Sequence, residues 1–140
     1  MIATIADELA TLLAAVDYGE TVEVSRSWRP ELAPTEGDLT TARIEVIPGQ
    51  VTPERPARKG GWQRRYILNC LVSRRVSGTV ADTDEVVALA EAVATFLENT
   101  DVLPGSGAAI VSYAIDPFVV SDHLDSFRVA TSLVRVEVTR

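Results

Sequence analysis

The stretch WQRRYILNCLVSRRV, from Trp62 to Val76, constrains the fold of this chain more than any other. Its aromatic and branched residues gather around an apolar centre at Ile67 to Val72, with arginines at both ends, and this pattern predicts the longest strand of the molecule. A strand of that length has to be the backbone of a sheet, so the remaining segments are read for what they add to it.

Ahead of it, Ile5, Leu9, Leu12, Leu13 and Val16 repeat at helical spacing with Asp7, Glu8 and Thr11 on the other side, predicting an amphipathic helix over 4–17. Gly19 is the expected stop, and Asp7 and Glu8 are expected to favour the helix dipole. TVEVSRSW alternates as a half-buried strand does until Arg29-Pro30 interrupts it, and ARIEVIPG reads as a short second strand closed by Pro48-Gly49. Residues 49–61, holding Pro53, Pro56, Gly49, Gly60 and Gly61 without apolar periodicity, read as a loop or extended arm. After the long strand, Asp82 and Glu85 form a capping pattern for a helix over 83–99, whose inner face carries Val86, Leu89, Val93, Phe96 and Leu97. AIVSYAI is a strand broken by Asp116-Pro117, and 127–138 returns beside it as a long antiparallel strand. The order α, β, β, arm, β, α, β, β predicts an α+β domain: an antiparallel or mixed sheet of about five strands, with two helices packed on one face.

With 140 residues the chain is the size of one domain, 1–140. Its single cysteine, Cys70, excludes an intrachain disulfide and lies in a strand centre where a thiol acts as a small apolar group. No positive residue precedes Arg26 and no run approaches the ~20 apolar residues of a membrane span, so a cytosolic chain is expected.

Chemistry finds little to use. The one histidine, His123, has Ser121, Asp122 and Asp125 only as sequence neighbours, and reads as a turn residue. One histidine and one cysteine far apart do not make a zinc motif, and the DTDE segment at 82–85 lacks the rest of a calcium loop. KGG at 59–61 and GSG at 105–107 lack the ending of a phosphate-binding loop. The expectation is a protein that is not an enzyme, with no cofactor and no metal.

Charge is more informative. The chain carries a formal −7, yet Val51 to Arg75 holds seven basic residues against Glu54 alone, +6, leaving −13 for the remainder. The acidic total argues against general nucleic-acid binding. Arg55, Arg58, Lys59, Arg64 and Arg65 surround Trp62, and tryptophan with arginine is the pairing most enriched at binding hot spots. A molecule with two such poles invites head-to-tail association with copies of itself.

The succession SRSWRPEL, ARIEVIPG, KGGWQRRYILNCLVSRRV, DEVVALAEAVATFLEN and DHLDSFRVATSLVRVEV resembles the tail terminator, or tail completion, proteins of long-tailed bacteriophages and prophages, over nearly the whole chain. The resemblance rests on the Arg-Pro after the first strand, the basic arm before a Trp-Gln-Arg strand, and the Phe-x-x-x-Thr-Ser-x-Leu of the last strand. It implies a virion protein, assembled in the host cytoplasm, that forms a hexameric ring at the head-proximal end of the tail, stops the tail-tube protein from polymerising and offers a surface to head-tail connector proteins. It implies no cofactor. Contacts with the next subunit or the tail tube would then fall to Arg55, Arg58, Lys59, Trp62, Arg64 and Arg65, with Trp28 and Arg29. Six copies at −7 each would carry −42, so DNA would pass the lumen without specific binding. A head-tail connector or neck protein is the alternative within the same setting, and a nucleic-acid-binding module using the basic arm is the alternative outside it.

Overall fold

A computed structural model describes residues 1–29, 41–55, 61–75, 80–116 and 129–140. Along the chain run α1 (Ile2–Ala14), β1 (Val22–Arg26), β2 (Ala42–Glu54), β3 (Gln63–Arg75), α2 (Val80–Glu98), β4 (Ala109–Ile115) and β5 (Val129–Thr139). The strands form one mixed sheet in the order β1-β2-β3-β5-β4, parallel between β1 and β2 and antiparallel elsewhere. The expected α+β architecture is therefore present, with both helices against the sheet.

The register shows why β3 is central. Its even-numbered residues Tyr66, Leu68, Cys70 and Val72 stand level with Val46 and Ile44 of β2 and with Val138, Val136 and Val134 of β5. That face joins Ile5, Leu9 and Leu13 of α1 and Val86, Leu89, Val93 and Leu97 of α2 in one core. Because side chains alternate across a strand, Ile67 and Leu71 belong to the opposite face, where they too are buried, together with Glu45, Ser73 and Thr131.

Several boundaries differ from the sequence expectation for identifiable reasons. The first helix closes at Ala14, because Ala15 and Val16 donate to the Leu12 and Leu13 carbonyls three residues back and tighten the last turn. Tyr18 then donates its hydroxyl to the Leu13 carbonyl at 2.7 Å, and Gly19, at φ +75°, turns the chain with its N–H on Asp17 Oδ1. Asp7 and Glu8 lie past the first turn and serve tertiary contacts instead of the dipole. Asp7 pairs with Arg26 of β1 at 2.5 Å, and Glu8 accepts from the backbone N–H groups of Gly105 and Ser106 in the α2–β4 turn. The second helix begins at Val80, so Asp82 is a helical residue and not the residue before the helix.

The largest correction concerns residues 49–54. Pro48-Gly49 does not close β2. Gly49 is the extra residue of a bulge, and Gln50 to Glu54 resume pairing with Ile67 to Gln63. A Cβ on Gly49 would stand 3.0 Å from the Ile67 carbonyl and 3.1 Å from Asn69 Nδ2, so the close approach of the two strands there suits glycine. The first half of the expected arm is thus the end of a long hairpin. Residues 56–60 lie outside the described residues, as do 30–40, 76–79 and 117–128.

Candidate interaction surface

The site is built from the end of the β2–β3 hairpin. Alternation along β3 puts Trp62, Arg64 and Tyr66 on the side that carries the helices and Gln63, Arg65 and Ile67 on the other. Tyr66 is buried at the edge of the core, whereas Trp62 is 66% exposed. The Arg55 guanidinium stands over the Trp62 ring at 5.7 Å from its centroid, a cation–π contact that holds the two sides of the hairpin end together. Arg64 exchanges backbone hydrogen bonds with Arg140 at 3.0 and 3.1 Å, which brings the chain's last residue alongside. Met1, Trp62, Arg64, Tyr66 and Arg140 line an open depression of about 270 Å³, and Arg140 Nη1 lies 3.0 Å from Met1 Sδ.

Electrostatics separate the predicted residues. Arg65 is held within the subunit, 3.4 Å from both Glu54 and Glu137 on the face away from the helices. Among the described residues neither Arg55 nor Arg64 has a carboxylate within 4 Å, whereas Arg26, Arg43, Arg65 and Arg74 each have at least one. Trp28 and Arg29 are not part of this cluster. They follow the end of β1, level with the middle of β2 and roughly 20 Å short of the hairpin end along the strands. There Trp28 is 64% exposed and its ring is covered by Arg26 at 5.3 Å. Arg58 and Lys59 lie outside the described residues.

Backbone geometry adds a constraint on what this end can bind. Ser27 N–H donates to the Val46 carbonyl, so Val46, and by alternation Pro48, directs its backbone groups outward from β3. Arg64 faces β5, so Gln63 and Arg65 face β2, and their partners Glu54 and Thr52 point inward while Val51 and Pro53 point outward. β1 accompanies β2 only through Val46. The open edge beyond it therefore carries prolines at two outward positions, where a donor is missing, and this discourages addition of another strand.

Sequence reasoning did not anticipate Arg140, Met1 or Tyr66. Only Tyr66 had a signal in the sequence, since it follows Trp62 and Arg64 at a spacing of two; the closeness of the two chain ends is a product of the sheet order.

Among the described residues, groups with catalytic potential are few. Cys70 is fully buried, and burial pushes its thiol up to about 12, which removes it as a thiolate nucleophile. Among the described residues no cluster of three His, Cys, Asp or Glu side chains is placed to hold a metal, and no helix is long and apolar enough to cross a membrane. His123 lies outside the described residues. The chain matches no protein-family model and no curated protein.

Proposed function

We propose that this chain is a structural subunit that works by self-association, in the manner of a phage tail terminator: a ring, expected to be a hexamer, that caps the tail tube and joins the tail to the head. The observation that carries the reading is the hairpin end. It places an exposed tryptophan between two arginines that no carboxylate among the described residues pairs with, in a molecule of net −7. Such a cluster steers a carboxylate-bearing partner and fixes its register, and aromatic and arginine anchors dominate interface energies. An acidic total suits a channel that has to release DNA.

The test is the mass of the purified protein by light scattering over a concentration series, then its addition to tail tubes that lack an end cap. A hexamer, or a monomer that collects as a ring on tube ends, is expected. A fixed monomer that leaves the tubes growing would overturn the reading. Trp62 beside Arg55 and Arg64 also has the composition of a base-stacking site on single-stranded nucleic acid. That second reading predicts DNA affinity falling steeply with salt, and absence of binding at low salt removes it.

A further inference from the structure

The β4 edge of the sheet offers a surface that fits the hairpin end. β4 is an edge strand, and its sequence AIVSYAI contains neither proline nor charge, unlike the outer edge of β2. Its first residues are covered, since Val102 bridges Ala109 and the Asp101 carbonyl accepts from Ile110 N–H at 2.9 Å. Past them, between β4 and the end of α2, lies an open depression of about 380 Å³ whose lining includes Leu97, Glu98, Asp101, Val111 and Tyr113. That volume lies in the range, roughly 300–1,000 Å³, of pockets that bury compact ligands. Val102 and Val111 are half exposed at 50% and 51%. Glu98 accepts from the Tyr113 hydroxyl, and among the described residues neither Glu98 nor Asp101 has an ion-pair partner.

We infer that this depression receives the hairpin end of a second copy of the chain, with Trp62 against Val111 and with Arg55 and Arg64 toward Glu98 and Asp101. The inference rests on the self-association proposed above and names the surface that would accept the hairpin. Three observations favour a second copy over another occupant. Cations unpaired among the described residues, with an exposed aromatic ring at one place, complement carboxylates likewise unpaired, with an exposed valine, at the other. Both places lie at the same end of the sheet, because Ala109 is level with Thr139 and Thr139 with Arg65. They also lie toward different edges of the same sheet face, since the hairpin is made by β2 and β3 and the depression by β4, with β5 between. A neighbour placed side by side thus offers its β4 depression to the hairpin of the first copy, a heterologous contact that repeats from copy to copy. With prolines at the outward positions of β2, the contact is made by side chains and not by extending the sheet.

Two variants, each folded as judged by circular dichroism and melting temperature, test this. Arg55→Glu with Arg64→Glu disables the hairpin end, and Asp101→Lys with Val111→Lys disables the depression. Should the second pair melt early, Asp101→Asn with Val111→Ser replaces it. Each variant alone is expected to associate about tenfold or more weakly than the parent chain in sedimentation velocity. An equimolar mixture is expected to form a one-to-one dimer and nothing larger, because each partner retains one working half. Parent-like association of the depression variant, including a case in which only the hairpin variant is impaired, would overturn this docking while leaving ring formation standing. A parent chain that stays monomeric at every concentration, free and on tail tubes, would overturn both.

Discussion

Arg64 and Arg74 sit ten residues apart on the same face of the same strand, each the start or end of a similar Arg-Arg pair, yet their surroundings are opposite. Arg74 lies where α2 begins and where the α1–β1 turn passes, so it finds Glu85 at 2.7 Å and Glu20 at 3.3 Å. Arg64 lies where α1 begins and β5 ends, so its neighbours are Met1, Trp62, Tyr66 and Arg140, none with an acidic side chain. The difference is one of what the helices bring to each end of the sheet. A guanidinium satisfied within the fold contributes to stability, and one left without a carboxylate is available to a partner. Arg65 sharpens the point, since it is the sequence neighbour of Arg64 and is paired twice on the other face.

Mutations can break this contrast. Arg65→Glu has the largest expected cost, about 1–2 kcal/mol, because it turns two diagonal attractions into repulsions between three carboxylates on one sheet face. Urea unfolding checks it, and a change within experimental scatter would mean the Glu54 and Glu137 pairs contribute nothing. Arg74→Ala is expected to cost about 0.5–1 kcal/mol, as two partly exposed pairs are lost, whereas Arg64→Ala stays within about 0.5 kcal/mol. Equal losses at the two positions would erase the contrast.

A further effect, read mainly through pH, concerns the tie between α1 and the α2–β4 turn. Burial disfavours the charged form of Glu8, but hydrogen bonds from the Ser106 hydroxyl and from the Gly105 and Ser106 backbone outweigh it and hold this carboxyl below its ordinary value. A carboxyl lowered in the folded state stabilises the fold above its unfolded-state value, and that contribution is lost as pH falls through the lowered one. Glu8→Gln is therefore expected to cost up to about 1 kcal/mol near neutral pH and to flatten part of the decline below about pH 5. Parallel pH profiles for the variant and the parent would show that Glu8 has no such part.

The length and centrality of β3, the inner faces of both helices and strand β4 were legible in the sequence because each depends on a periodicity of side chains along a local segment. The hairpin end was legible only as charge. Its basic residues and Trp62 were visible together, but Gly49 read as a terminator because glycine and proline together usually mark a turn, and only the pairing of Gln50 with Ile67 shows a bulge. Asp7 and Glu8 likewise looked like helix-end charges until their partners, Arg26 and the turn at Gly105, were seen.

By itself the sequence determined which side chains could be buried and where charge accumulates, since burial follows the spacing of apolar residues and charge follows composition. Which arginines are satisfied, which edges of the sheet are open, and that residues 1, 62 and 140 meet at one place were decided by the tertiary structure alone. Those properties depend on the strand order β1-β2-β3-β5-β4 and on contacts between segments distant in sequence, and no local pattern encodes them.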